Sequence, residues 1–164
     1  MEHITQAIKT ILLTILICLM VSCQSRQTDS TAEKLSLEKA RTDLISAMNS
    51  NDINAIMSAL SSEHVTMAPN EPAYDDMEKL RRWHEFRVEH FDTEYQFNVV
   101  KTTYSDQYAM DYWMLETNSI SKTENESTMG DNKGIWIWKR MEDGEWKLLW
   151  SIWNENIPSR QTEE

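Results

Sequence analysis

The sequence is short of glycine, cysteine and positive charge, and each shortage removes a class of function. Glycine occurs three times in 164 residues, and no G-x-x-x-x-G-K-[ST], G-x-G-x-x-G or G-x-S-x-G pattern is present. Phosphate cradles and nucleophile elbows are therefore not expected. Sixteen Lys and Arg stand against 27 Asp and Glu, a formal net charge of −11. Nucleic acid demands a basic footprint and anionic lipid a basic patch, so neither is an expected partner of the protein surface. His64 and His90 have no partner at a ligand spacing, so neither a metal nor any other cofactor is expected.

Long apolar runs are also missing. Ile11–Val21 (ILLTILICLMV), apolar apart from Thr14, is half of the ~20 residues that a membrane-spanning helix needs. Short, apolar and ending at Ser22-Cys23, it reads as a secretory signal over residues 1–22. Of the two cysteines, Cys18 lies inside that run and would leave with it. Cys23 would remain alone, which excludes an internal disulfide. MVSC resembles the bacterial lipobox, with Met20 where leucine is usual. The resemblance implies lipidation of Cys23, acyl chains holding the protein to a membrane, and a place in the bacterial cell envelope on the periplasmic or outer-membrane side.

Residues 23–32 are polar and read as a tether. In the remaining chain, Leu37, Ala40, Leu44, Ala47 and Met48 form a stripe of helical period over about Leu35–Ser50. Asn51 or Asp52 caps a short second helix with Ile53, Ile56, Met57 and Leu60 on one face. His64–Ala68 is a brief strand candidate before Pro69-Asn70-Glu71-Pro72. Asp75 or Asp76 opens a third helix carrying Met77, Leu80, His84, Val88 and Phe91. After Asp92 the composition turns aromatic and β-branched in four runs, Tyr95–Tyr104, Tyr108–Thr117, Gly134–Met141 and Trp146–Asn154. Hairpin-length links predict antiparallel neighbours, with Ile120–Asn132 as a longer polar connection and 157–164 as a polar tail. Helices followed by a meander predict an α+β fold.

The order of these elements, AMNSNDINAIMSALSSEHVTMAPNEP and the closing WKRMEDGEWKLLWSIWNEN resemble nuclear transport factor 2-like domains of the SnoaL-like and ketosteroid-isomerase-like branch. The resemblance covers about residues 33–156. It implies a curved antiparallel sheet wrapped around three N-terminal helices, a cone-shaped, cystatin-like roll with a pocket on the concave face. In the isomerase branch a tyrosine and a protonated aspartic acid stabilise an enolate while a second carboxylate moves the proton. Those positions fall at Leu44, Trp136 and Ala68, none of which can do so. Classical isomerisation is not expected.

Strand alternation puts Trp136 and Trp138 on one face, which the resemblance makes the concave one. It likewise turns Tyr108, Met110, Tyr112, Met114 and Glu116 inward from the preceding strand, and Leu149, Ser151 and Trp153 from the last. Asp111, Trp146 and Trp150 then face outward. The expected pocket is His84, Tyr112, Met114, Glu116, Trp136, Trp138, Ser151 and Trp153. Three readings follow: a passive site for a small apolar or aromatic molecule, an enzyme using His84 and Glu116 as an acid–base pair, and a homodimer through a convex face including Trp113 and Trp150. In the first reading the tryptophans line a cavity; the alternative is that they fill it.

Overall fold

In helix α1, residues 31–49, the stripe that begins at Leu37 buries Leu37, Leu44 and Ala47. A computed structural model of the protein describes residues 31–156; the expected signal segment, Cys23 and the expected 157–164 tail lie outside the described residues. The chain divides into two compact units, Met1–Glu38 and Lys39–Glu164, and the second holds the sheet and the candidate site.

Asn49 ends α1 by mimicking a strand neighbour. Its amide donates to the Tyr95 carbonyl at 3.0 Å and its oxygen accepts the Tyr95 N–H at 2.8 Å. Asp52 caps α2 (Ile53–Ala59) by accepting the Ala55 N–H, and Ile56 is buried. Leu60, on the helical stripe by sequence, instead starts strand β1 (Leu60–Met67). Asp76 caps α3 (Met77–His90), accepting the N–H groups of Glu78 and Lys79. Those backbone bonds hold its carboxyl below the usual range.

The five strands are β1, β2 (Phe91–Tyr104), β3 (Tyr108–Ser121), β4 (Ser127–Arg140) and β5 (Trp146–Glu155), ordered β1-β5-β4-β3-β2. The last four form the expected antiparallel meander, and β1 adds to β5 in parallel, so the sheet is mixed. Much of the expected Ile120–Asn132 connection is strand, paired from Ile120↔Ser127 to Leu115↔Asn132. Its polar side chains tolerate this because backbone bonds, not burial, build that end. Extra residues at Val100 in β2 and Leu149 in β5 interrupt the ladders, and such bulges bend a sheet. The fold is α+β, with helices against the concave face.

The β3 parity is opposite to that expected. Ala109, Asp111, Trp113 and Leu115 are buried, whereas Tyr108, Met110, Tyr112 and Glu116 are exposed and Met114 is half-buried on their face. Ladder register decides it: Asp111 lies opposite Trp136, and Trp113 opposite Gly134. Cross-strand partners share a face, so an inward Trp136 requires an inward Asp111. The Leu149 bulge makes the matching correction on β5. Leu148 and Trp146 are buried on the concave face, Leu149 is not, and Trp150 is exposed on the convex one.

Candidate functional site

The concave face encloses a cavity of about 200 Å³. β2, β3, β4 and β5 supply Phe97, Trp113, Trp136 and Trp153, while α1 contributes Leu44 and α3 contributes Trp83, His84 and Arg87. The ring centroids of Phe97 and Trp136 lie 4.6 Å apart, those of Phe97 and Trp113 5.2 Å, and those of Trp113 and Trp136 5.4 Å. These contacts, edge-on for Phe97 and Trp113 and tilted for the other two pairs, fall in the favourable range for aromatic pairs. Ser151 accepts a hydrogen bond from the Trp136 indole N–H at 3.1 Å, fixing that ring against β5.

Of the residues expected to form the pocket, His84, Trp136, Ser151 and Trp153 line it. Trp138 is buried on the same face but lies apart from the lining, donating its indole N–H to Asp111 at 2.8 Å. Tyr112, Met114 and Glu116 belong to the other face of β3. His84 and Glu116 therefore do not meet, and among the described residues no Asp or Glu lines the cavity.

Two histidines face it instead. His64 is buried and satisfied: Nδ1 lies 2.9 Å from the Leu148 carbonyl and Nε2 2.8 Å from the Thr66 hydroxyl. A carbonyl only accepts, so Nδ1 carries the hydrogen and Nε2 accepts from Thr66. Burial lowers its pKa, against the Leu148 bond, which raises it. His84 packs edge-on to Trp83 at 4.9 Å, and its ring nitrogens bond to no protein atom among the described residues. Burial, with smaller contributions from the charges of Arg87 and His64, pushes its pKa down to about 4. Both imidazoles are neutral at pH 7.

Beyond the cavity, Asp111 is fully buried and accepts four hydrogen bonds. Arg41 supplies two, Nε to Oδ2 at 3.0 Å and Nη2 to Oδ1 at 2.9 Å; the Thr102 hydroxyl and the Trp138 N–H supply the others. The Trp113 N–H is the one buried side-chain polar atom without a partner among the described residues.

No protein-family model matches the sequence, and no curated protein matches it. Solved structures do. A ketosteroid isomerase-like protein from Erwinia carotovora atroseptica superposes with a TM-score of 0.68 at 18% identity, over 74% of this chain and 94% of that one. A nuclear transport factor 2-like superfamily protein from Salmonella enterica gives 0.68 at 8% identity, over 82% and 99%. A type 2 hexachlorocyclohexane dehydrochlorinase gives 0.71 at 11% identity, over 80% and 90%. The chain has the nuclear transport factor 2-like fold. At these identities the likeness concerns fold, and chemistry must come from the side chains.

Within this nuclear transport factor 2-like cone, two of the three positions matched to isomerase catalysis reach the cavity, as Leu44 and Trp136, while Ala68 follows β1 outside the lining. None can donate or accept the required proton. Sequence reasoning missed His64, Thr66, Arg87, Trp113 and Thr117 on the cavity wall, and Arg41 and Asp111 beyond it. Pairing β3 against Trp136 would have exposed the β3 residues. The β1 residues give no such signal, because a parallel edge pairing leaves no hairpin to read.

Proposed function

We propose that the protein binds a small, largely apolar or aromatic molecule in this cavity without transforming it. The observation that carries this reading is the aromatic lining of Phe97, Trp113, Trp136 and Trp153 around about 200 Å³ of space. An apolar cavity of about 150 Å³ holds benzene, whereas drug-sized ligands occupy about 300–1,000 Å³. The volume suits a single substituted ring. Binding is favoured over catalysis because no carboxylate among the described residues lines the wall and His84, with a pKa of about 4, is a weak base at neutral pH. Titration of the full chain with toluene, phenol and benzyl alcohol, followed by tryptophan emission, tests this. Saturable quenching that disappears in Thr117→Phe supports it. No response to any arene means that the tryptophans fill the cone rather than line a site.

We also propose that Cys23 carries lipid and tethers the domain to the cell envelope, on the strength of MVSC after a short apolar run. Cys23→Ser should move the protein from the membrane to the soluble fraction of expressing bacteria. Retention on the membrane would retire the tether.

A second reading adds self-association. The convex face exposes Met110 and Tyr112 on β3 and Trp150 on β5, with Ile135 and Ile137 of the intervening β4 and Ile152 of β5 half-buried beside them. Exposed apolar patches of this kind mark interaction surfaces.

A further inference from the structure

Arg87 stands one position short of a full helical turn beyond His84 on α3, so the two side chains share a face and both line the cavity. Its guanidinium carbon lies 4.9 Å from the Trp83 ring centroid and 5.7 Å from that of Tyr95. Such contacts hold a cation by ring faces and satisfy none of its five N–H donors. No hydrogen bond or ion pair to the Arg87 guanidinium exists among the described residues. Glu124 and Glu126 line an adjoining recess that Arg87 also borders, yet neither pairs with it.

That isolation is unusual in this chain. With 27 acidic residues against 16 basic ones, other cations find partners readily: Arg41 with Asp111, Arg82 with Glu78, Lys139 with Glu63 and Lys147 with Glu145. Among the described residues Arg87 is the one cation that borders the apolar cavity, and no Asp or Glu there competes for it. A guanidinium fixed by two rings, with its donors unspent beside a ring-sized hollow, matches the planar fork of a carboxylate.

Given the aromatic ligand proposed above, on which this step rests, we infer that the ligand carries a carboxylate on or next to its ring and that Arg87 receives it. The ring lies against Trp136 and Phe97, and His84 stands beside the carboxylate as a neutral donor. The ligand class is thus a monocyclic aromatic acid. An acidic protein surface would repel such an anion at long range, so Arg87 supplies the local attraction that the surface does not.

The test titrates the full chain with benzoate, benzyl alcohol and toluene at pH 7.5 and low salt, by tryptophan emission and calorimetry. Benzoate should bind at least about 10-fold more tightly than benzyl alcohol, the range expected of charge-assisted hydrogen bonds. Within Arg87→Gln, benzoate should bind no more tightly than benzyl alcohol; Arg87→Lys should retain part of the preference. Equal affinities in the wild type, or a benzoate preference that survives Arg87→Gln, overturn the inference and leave arene binding standing. Absence of binding by all three compounds overturns the reading beneath it as well. If Arg87→Gln does not fold, the wild-type comparison and Arg87→Lys still decide.

Discussion

Arg41 and Asp111 meet as fork and carboxylate, with N–O distances of 3.0 and 2.9 Å, across a join between α1 and the middle of the sheet. The Arg41 side chain is 15% exposed and that of Asp111 is wholly enclosed, so neither can be left to water if the other is removed. Asp111→Ala strands a guanidinium and the Trp138 N–H. Removing one member of a buried pair costs about 3–5 kcal/mol, and chemical denaturation should show a loss of that order. Replacing both, as Arg41→Met with Asp111→Leu, should be much milder than the sum of the single changes. Additive losses would mean that the pair is not coupled.

Gly134 faces Trp113 across the β3–β4 ladder, and a Cβ there would meet the indole ring and the Ile152 carbonyl oxygen. The glycine therefore serves close approach, leaving room for the Trp113 ring beside the β4 backbone. One obstacle is backbone, which cannot swing aside as a side chain does. Overpacking of this kind costs about 1–3 kcal/mol or more. Gly134→Ala should lower the thermal midpoint accordingly and change near-ultraviolet circular dichroism as Trp113 shifts. In contrast, Gly144, in the β4–β5 turn at φ +88°, has open space around it; alanine there meets only backbone strain.

The helices were legible because their caps and stripes are local signals. Asp52, Asp76 and the Ile53–Ile56 spacing needed no knowledge of distant partners. Strand existence was legible for the same reason, as aromatic and β-branched runs. Strand parity was not. On β3 both faces hold large apolar residues, Tyr112 and Met114 on one and Trp113 and Leu115 on the other, so alternation alone gives no preference. A one-residue choice then flips every side chain. Asp111 misled further, since a lone carboxylate reads as a surface residue until Arg41, 70 positions earlier, is brought against it. The bulge at Leu149 had the same effect on β5. Trp136, Ser151 and Trp153 took their inward direction from the family resemblance, and His84 its place from the helical stripe.

Trp150, 41% exposed on the convex face, is the cheapest place to test self-association. A glutamate in an open position should alter stability by less than about 0.5 kcal/mol. The same charge in the middle of an apolar interface should abolish it. Sedimentation of the chain with Cys23→Ser, with and without Trp150→Glu, should therefore show a dimer reduced to a monomer with an unchanged denaturation midpoint. A wild type that sediments as a monomer at high concentration removes the second reading.

The two neutral histidines set a pH dependence whose sign is fixed. His84 titrates near 4 in the folded protein against an ordinary 6.5, chiefly through burial and then through Arg87 and His64. His64 is shifted in the same direction. Below about pH 6.5 the unfolded chain takes up protons that the folded chain refuses, so stability must rise with pH across this window. It is complete above the unfolded value and is lost progressively as pH falls toward 4. For His84 the loss amounts to at most about 3 kcal/mol. Carboxyl groups held low, Glu63 by Lys139 and Asp76 by backbone N–H groups, begin to weaken the fold only below their ordinary values of 4.5 and 3.8. The interval from pH 6.5 to 5 therefore isolates the histidines. Urea midpoints measured there should fall with pH in the wild type and fall less steeply in His84→Gln, the remaining slope belonging to His64. An identical slope in both proteins would show that His84 is as free to take up a proton in the folded chain as in the unfolded one, and that its imidazole is not enclosed by the cavity wall.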